Sequence, residues 1–366
     1  MSSNLRVAVD ASVLAWGWSG IPKYVHRIVR ELATRDDVEI TLLANTRRWG
    51  FSGIEGVNEV VARRPGGGLW RNEFASRWLA RERPDVFWAP AMVLPRRLAV
   101  PSVVTIHDLT PITMPQTKSV RGRLEFRTIR ESARRAERLI AVSRWTASEL
   151  ERVVGVAETG VTVVPNGVDD QFSPGDRGAA HANVRARWGL EGPMVLAVGT
   201  LEPRKGLDVV FNAARVAGEA WQLVLAGALG DHGAAIAAAA ATVPRCRRLG
   251  AVTDSELVDL YRAAEVVVAP SLVEGFGMVP LEAMACGTPA VIAAGSGALE
   301  DVSGPAALVV RDRNPTAWQT AIAAARDRHE ELSRAGTALA AQYRWASAAA
   351  STLEVLQLAA DPAASR

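Results

Sequence analysis

The feature that most constrains this chain is a regular alternation of short apolar runs with longer segments of helical spacing. The runs are rich in valine and isoleucine and are bounded by polar or turn residues, which is typical of buried strands. We predict strands at 6–11, 39–44, 85–90, 102–108, 138–143 and 161–165. We predict helices between them at 22–34, 69–82, 119–137 and 144–154. This alternation predicts a parallel sheet that is covered by helices on both faces.

The same pattern restarts after a turn at 165–169 and a linker at 172–176. A second set of strands is predicted at 193–200, 221–227, 266–271, 289–294 and 306–310. The matching helices are predicted at 205–217, 254–264, 278–285, 315–332 and 345–358. Two such series predict an α/β protein with two doubly wound domains, 1–168 and 169–342, facing across a cleft. Ligands of such sheets bind at the carboxyl ends of the strands.

Composition narrows the classes of protein further. Hydrophobic residues make up 49% of the chain and charged residues 22%, which excludes global disorder. The net charge of +3 and the lack of a recognition motif argue against nucleic-acid binding. The two cysteines favour a reducing compartment, and no signal-peptide or membrane-spanning pattern is present. We therefore expect a cytoplasmic protein.

The first half of the chain is basic. Residues 1–168 carry 25 basic and 17 acidic side chains, and the predicted helix at 119–137 is particularly rich in arginine. Its arginines are Arg121, Arg123, Arg127, Arg130, Arg134 and Arg135. One interpretation is a solvated helix with internal ion pairs. The other is peripheral contact with an anionic membrane at the inner face of the plasma membrane, or with a lipid-diphosphate acceptor.

Two loops have the composition of anion-binding loops. Gly20 lies where the loop after the first strand enters a helix, and backbone N–H groups at such a position can approach an anion. The loop at 199–206 contains Arg204 and Lys205, whose side chains suit a diphosphate. Neither loop has the dinucleotide-binding or Walker spacing. A plain surface loop and a solvated turn remain the alternatives.

The strongest local signal is the segment 270–283, in which a strand, a glycine-rich turn and a helix follow one another. Glu274 lies in the turn and Glu282 lies one turn into the helix. A carboxylate beside the N–H groups at a helix start is well placed for sugar hydroxyls, and the second carboxylate could accept both hydroxyls of a ribose. The alternatives are a helix-terminus charge for Glu274 and a solvated residue for Glu282.

Taken in order, these motifs resemble glycosyltransferase family 4, whose members have the GT-B fold and retain anomeric configuration. The resemblance covers nearly the whole chain and depends mainly on the Arg-Lys-Gly element together with the Glu-x7-Glu element. It is carried by Gly20–Pro22, His107–Asp108, Val142–Thr146, Pro165–Asp169, Gly199–Gly206, Gly250–Val252 and Glu274–Glu282. It also implies that 343–366 contains the closing helix of the family, which packs back on the first domain.

The resemblance implies a role for each candidate residue. Arg204 and Lys205 would bind the nucleotide diphosphate and stabilise it as it leaves, and Glu274 would contact the transferred sugar. Glu282 would hold the ribose and His107 would reach the sugar. The remaining substrate-binding candidates are Gly20, Gly199, Thr200, Val252, Gly275, Phe276 and Gly277. Gly20 would close against the phosphates, and Val252 would flank the nucleobase.

The function that follows is hexose transfer from a nucleotide-sugar to a hydroxyl acceptor in polysaccharide, glycolipid or related glycoconjugate biosynthesis. GDP-mannose is the first expectation for the donor, and UDP- or TDP-hexose follow. We expect no cofactor and no metal, because no Asp-x-Asp pair follows a strand. Two alternatives remain open, a sugar-nucleotide epimerase of the same fold and an inactive transferase-like binding protein.

Overall fold

The computed structural model describes residues 4–16, 20–48, 50–114 and 120–361. The chain forms two compact units. Of the described residues, the first unit combines those up to 113, 120–167 and those from 344 onward, and the second contains Met114 and 168–343. Within the described ranges, each unit is built on one parallel β-sheet. The predicted class, two doubly wound parallel-sheet domains, is confirmed.

The sheet of the first unit has the strand order β3-β2-β1-β4-β5-β6-β7, and every neighbouring pair is parallel. Its strands are β1 (Leu5–Asp10), β2 (Val38–Ala44), β3 (Asn58–Val61), β4 (Val86–Ala89), β5 (Ser102–Ile106), β6 (Arg138–Ala141) and β7 (Val161–Val163). Strand β1 pairs with both β2 and β4. The strand order therefore reverses between β1 and β4, which makes the carboxyl end of β1 the switch point of this sheet.

The helices of the first unit connect these strands and cover the sheet. They are α1 (Gly20–Leu32), α2 (Gly66–Leu69), α3 (Ser76–Glu82), α4 (Thr110–Thr113), α5 (Val120–Arg135), α6 (Arg144–Glu149) and, from the end of the chain, α15 (Trp345–Ala360). A π-helical turn, Trp70–Ala75, joins α2 to α3. Leu353 and Leu356 of α15 lie in the same apolar cluster as Ile28 of α1. Helix α15 therefore belongs to the same unit as α1.

The sheet of the second unit has the order β10-β9-β8-β11-β12-β13 and is parallel throughout. Its strands are β8 (Met194–Val198), β9 (Gln222–Ala226), β10 (Cys246–Gly250), β11 (Val266–Ala269), β12 (Ala290–Ala293) and β13 (Ala307–Val310). Its helices are α7 (Arg177–Trp188), α8 (Asp208–Ala217), α9 (Gly233–Ala241), α10 (Asp254–Ala263), α11 (Met278–Ala285), α12 (Leu299–Ser303), α13 (Pro315–Asp327) and α14 (His329–Ala340). The switch point lies between β8 and β11.

Central strands of both sheets, such as β4 and β11, are buried on both faces, as their composition requires. In β1, Val7 and Val9 belong to one apolar cluster and Ala8 belongs to the cluster on the other face. This is the alternation expected of a pleated strand whose successive side chains point to opposite faces. The sheets thus position their carboxyl-end loops rigidly.

Among the described residues, the sequence analysis missed two strands and four helices, and two of these helices, α4 and α12, have only four and five residues. Strand β3 is half-exposed, and β10 contains two exposed arginines. Both lie at a sheet edge, where one side of the strand needs no apolar cover. Helix α7 buries only Ala180 and Val184, and α9 is mostly alanine, so neither shows an apolar stripe. The predicted helix at 315–332 is two helices that meet at Arg328.

Candidate functional site

The loops after β8 and β11 carry the predicted donor-binding residues, and these two strands flank the switch point of the second sheet. The loop after β8 contains a single 3₁₀ turn, Pro203–Lys205, instead of the first turn of the helix predicted at 205–217. The loop after β11 leads through Glu274 into α11. The fold therefore brings the two segments together where a doubly wound sheet binds its ligand.

Four side chains in these loops form what we call the Glu274 cluster: Arg204, Lys205, Ser271 and Glu274. Lys205 Nζ lies 2.6 Å from Glu274 Oε1, and Ser271 Oγ donates to the same oxygen at 2.7 Å. Arg204 Nη1 donates to Glu274 Oε2 at 2.8 Å, while its Nε donates to Glu202 Oε1 at 2.8 Å. The cations predicted to bind a diphosphate and the carboxylate predicted to contact the sugar thus form one hydrogen-bonded group.

The Glu274 carboxylate is ionised at neutral pH. Burial by itself would raise its pKa, because it disfavours the charged form. The charges of Lys205 and Arg204, with hydrogen bonds from Lys205 and Ser271, outweigh burial and lower the pKa to about 2. The side chains of Lys205 and Glu274 are only 16% and 15% exposed, so solvent screens this pairing weakly.

The backbone of Glu274 is held by the loop after β12. Glu274 N donates to Ser296 O at 2.9 Å, and Ala298 N donates to Glu274 O at 2.9 Å. Gly297 lies between these two contacts with φ +76°, and a Cβ there would lie 2.4 Å from Glu274 O. Leu272 N also donates to Arg204 O at 2.7 Å. Three loops therefore determine where the carboxylate lies.

Gly199 lies next to the ammonium group of the cluster. Its φ of +131° is in the region that favours glycine, and a Cβ would lie 3.2 Å from Lys205 Cε. The next residue, Thr200, is exposed. Gly199 thus lets the Lys205 side chain pass close to the end of β8.

The turn between Glu274 and α11 contains Gly275, Phe276 and Gly277. Phe276 is buried, and its ring meets the Tyr343 ring edge-on at 5.8 Å. Gly277 has φ +103°, and a Cβ there would lie 2.6 Å from Leu299 Cδ2. The turn is packed from both sides, which gives α11 a defined start beside the cluster.

Glu282 lies in a different environment from Glu274. It is buried at 8% exposure, and Tyr261 Oη donates to its Oε2 at 2.8 Å. Burial and the Glu282 charge raise the pKa of the Tyr261 hydroxyl well above its usual range. The alternative of a solvated helix residue is wrong. The sequence analysis missed Tyr261, which lies on α10; a tyrosine in an apolar helix stripe gives no signal of its partner.

Val252 is half-buried and follows β10, between Gly250 and a helix start. Thr253 begins α10 with a capping box, in which its side chain accepts from Glu256 N and the Glu256 side chain accepts from Thr253 N. The cap fixes the chain just after Val252. The predicted contact of Val252 with a nucleobase stays a prediction.

In the first unit, His107 follows β5 and is half-buried. Its Nε2 lies 2.8 Å from Pro90 O, so this nitrogen carries the proton because a carbonyl can only accept. The ring meets Tyr24 edge-on at 4.7 Å. Burial lowers the pKa of His107, against smaller opposing effects of the Pro90 carbonyl and Asp108. His107 is therefore neutral at pH 7, with Nδ1 as an acceptor.

Gly20 is the first residue of α1 and is exposed. A Cβ built at Gly20 meets nothing within 4 Å. The fold does not require glycine here, so a side chain would be compatible with the first unit taken alone. Residues 17–19 of the same loop lie outside the described residues.

Three arginines of α5 donate hydrogen bonds to backbone carbonyls of the first unit. Arg134 donates from Nε and Nη2 to Val154 O at 3.0 and 2.7 Å, and Arg130 Nη2 donates to Val153 O. Arg135 Nη2 donates to the carbonyls of Pro95 and Arg96 at 2.9 and 2.8 Å. These arginines satisfy carbonyls of neighbouring loops. The side chains of Arg121 and Arg123 lie outside the described residues.

The described residues contain neither a cluster suited to a metal ion nor a helix suited to a bilayer. In the four described ranges, no group of three or more His, Cys, Asp or Glu side chains is arranged to hold a metal ion. Nor does any helix in that part of the chain have the length and apolar character needed to cross a bilayer.

Comparison with known proteins gives a consistent result for both units. The family model "Glycosyltransferase Family 4" matches residues 18–172, and "Glycosyl transferases group 1" matches residues 183–339. D-inositol 3-phosphate glycosyltransferase 2 of Catenulispora acidiphila is 36% identical over 60% of this chain and 56% of that protein. D-inositol 3-phosphate glycosyltransferase of Xylanimonas cellulosilytica is 33% identical over 76% of this chain and 68% of that protein. The matched region thus spans about half to two thirds of these relatives.

Among solved structures, HepE of Anabaena in complex with UDP and glucose has a TM-score of 0.76 with this chain at 18% identity. The match covers 97% of this chain and 99% of HepE, so the architecture is that of the GT-B fold. A relative that is 33% identical over 68% of its own length, together with models that match both units, shows the family. The chain belongs to glycosyltransferase family 4.

Proposed function

We propose that this protein is a retaining hexosyltransferase that moves a sugar from a nucleoside diphosphate to a hydroxyl acceptor. The observation that carries the proposal is the Glu274 cluster, in which two cations and one ionised carboxylate lie at the switch point of the second sheet. In this proposal the cations bind the diphosphate and the carboxylate binds the sugar.

The charges that develop during the reaction explain why the site needs both positively and negatively charged side chains. Breaking the bond between the anomeric carbon and the diphosphate develops negative charge on the leaving group and positive charge on the sugar. Lys205 gives one of its three N–H donors to Glu274, and no other described residue accepts from it, so two donors remain for phosphate oxygens. Cations that hold the leaving charge more tightly in the transition state lower the barrier.

Glu274 supplies the opposite charge. Because its pKa is lowered to about 2, the carboxylate accepts hydrogen bonds from sugar hydroxyls across the physiological pH range. It also balances the two cations before the donor binds. Retention then follows from attack by the acceptor hydroxyl on the face that the diphosphate leaves, with a phosphate oxygen as base. This route uses no metal, so turnover should persist in the presence of EDTA.

The proposal also includes the chemical class of the donor and of the acceptor. GDP-mannose is the donor that the sequence motifs favour, whereas UDP and glucose are the ligands of HepE. The names of the two relatives support an inositol phosphate as acceptor. We propose a phosphorylated polyol as the acceptor and a GDP- or UDP-hexose as the donor.

Thermal-shift measurements with GDP, UDP and TDP test the donor, because a ligand that binds the folded state raises its apparent stability. Turnover is then measured with a nucleotide-sugar that contains the nucleotide found to stabilise the protein. We expect Lys205→Ala to lose at least about 100-fold in turnover, the scale found when one group that stabilises developing charge is removed. Arg328→Ala is the matched control, since Arg328 forms an exposed ion pair with Glu331 in the same unit. Equal activity in Lys205→Ala and Arg328→Ala would contradict the proposal.

The same assay separates the two alternatives. An epimerase would release free nucleotide and an altered sugar without acceptor, whereas a transferase forms a product that depends on the acceptor. An inactive binding protein would be stabilised by a nucleotide but would turn over no donor. The intact Glu274 cluster favours an enzyme over a binding protein.

A further inference from the structure

A nearly buried arginine lies at the switch point of the first sheet. Asp10 is the last residue of β1 and is 1% exposed. Its Oδ2 accepts from Arg71 Nε at 3.0 Å, and the Arg71 side chain is 14% exposed. Because β1 pairs with both β2 and β4, this ion pair lies where a doubly wound sheet binds its ligand.

The position of Asp10 is set by a chain of hydrogen bonds across three strand ends. Asp10 Oδ1 accepts from Ser12 N at 3.1 Å, and Ser12 Oγ accepts from Asn45 N at 3.2 Å. The Asn45 side chain accepts from Arg64 N at 2.9 Å and donates to Arg64 O at 3.3 Å. The loops after β1, β2 and β3 are thereby tied together. Asp10 is a fixed anchor that orients the Arg71 guanidinium.

Among the described residues, the rest of the Arg71 guanidinium has no hydrogen-bond partner. Asp10 uses only Nε, and no acceptor among the described residues bonds to Nη1 or Nη2 of Arg71. A guanidinium carries five N–H donors, so four are left for a ligand. Gly67 keeps space beside them, since a Cβ there would lie 3.2 Å from Nη1. By contrast, Arg134 and Arg135 of the same unit direct their terminal nitrogens to carbonyls.

The backbone at Arg71 also has an unusual conformation. Arg71 lies in the π-helical turn Trp70–Ala75, between two α-helical segments. Such turns are rare and frequently occur at functional sites. Neither Nη1 nor Nη2 is among the fully buried side-chain atoms that lack a hydrogen-bond partner, so solvent reaches both nitrogens and an acceptor group of a ligand can reach them as well.

We propose that Arg71, positioned by Asp10, binds the phosphate group of the acceptor through its two terminal nitrogens. The planar fork of a guanidinium matches a phosphate in two-bond geometry. The donor diphosphate has its own cations in Arg204 and Lys205, which belong to the second unit. This inference rests on the proposed function, which supplies the phosphorylated acceptor.

Calorimetric titration tests the proposal with three probes: D-inositol 3-phosphate, myo-inositol, and phosphatidylinositol in phosphatidylcholine vesicles. We expect Arg71→Gln to weaken binding of a phosphate-bearing probe by at least about tenfold, the scale of a lost hydrogen-bonded charge pair. Arg77→Gln is the matched control, because Arg77 lies on the adjoining α3 with an 80% exposed side chain. Binding of the soluble ester alone identifies a soluble acceptor, and binding of the vesicles alone identifies a lipid phosphate.

Arg71→Lys keeps a cation beside Asp10, so it provides a second test of the proposal if Arg71→Gln does not fold. It should fold and still bind the phosphate probe less tightly, because an ammonium lacks the planar fork. Asp10→Asn tests the positioning role: it should raise the KM for the acceptor by a larger factor than it lowers kcat. Wild-type affinity in both Arg71 variants, or no phosphate binding by the wild type, overturns the inference. If phosphate binds but no nucleotide does, the proposed function fails and the Arg71 site stands.

Discussion

Replacing Glu274 by glutamine tests the electrostatic basis of the cluster. The substitution keeps the size of the side chain and removes the charge that faces Lys205 and Arg204. The pKa of Glu274 is lowered from 4.5 to about 2. Each pKa unit corresponds to about 1.36 kcal/mol, so the ionised carboxylate stabilises the folded state by roughly 3 kcal/mol at pH 7. The glutamine variant should be less stable by a similar amount.

The pH dependence makes this prediction specific. A carboxyl group whose folded-state pKa is lowered stabilises the protein above its unfolded-state pKa, and that stabilisation is lost as the pH falls toward the folded-state value. The window for Glu274 therefore runs from about pH 4.5 down to about pH 2. Between pH 7 and pH 3, the stability difference between wild type and Glu274→Gln should shrink by about 2 kcal/mol.

Urea unfolding of both proteins at pH 7, 5, 4 and 3, followed by circular dichroism, measures this difference. Other carboxyl groups titrate in both proteins, so their contributions cancel in the comparison. The difference should be constant from pH 7 to pH 5 and then decrease. A difference that stays the same at pH 3, or that is absent at pH 7, would refute the argument that the cations hold Glu274 ionised.

Three further predictions follow from the geometry. Tyr261→Phe removes the donor to the buried Glu282 and should lower the free energy of unfolding by about 1–3 kcal/mol in urea titrations, so unchanged stability would count against that hydrogen bond. Gly199→Ala should cost about 1–3 kcal/mol through its φ of +131° and should weaken nucleotide binding in thermal-shift assays. Proton NMR should give His107 a titration midpoint below 6.5, and a higher midpoint would contradict its burial.

The sequence predicted the sheets because buried parallel strands leave a clear signal. Strands β4 and β11 are buried along their full length, and each reads as an apolar run between polar residues. Edge strands and exposed helices leave a weaker signal because part of their surface faces solvent. Strand β10, with two arginines in five residues, has the composition of a loop and was missed for that reason.

The candidate site was predictable to the extent that its residues follow strands. Arg204, Lys205 and Glu274 follow β8 and β11, and the sheet order brings these strands together. Arg71 was not identified, because it lies inside a helical segment, far along the chain from Asp10. Neither residue has a spacing motif, and only the fold joins a strand end to that helix. Pairings of this kind depend on tertiary structure that local patterns do not encode.

The two glutamates of the Glu-x7-Glu element show the same limit of prediction from local sequence. Their spacing suggests a matched pair, yet the structure gives them different partners. Glu274 is stabilised by two cations and a hydroxyl, whereas Glu282 is buried with the hydroxyl of Tyr261 as a donor. Loss of Lys205 should therefore affect charge balance at the site, and loss of the Tyr261 hydroxyl should affect packing under α11. A double substitution of Lys205 and Tyr261 should show additive effects on stability, since the two residues share no hydrogen-bond partner in the described part of the chain.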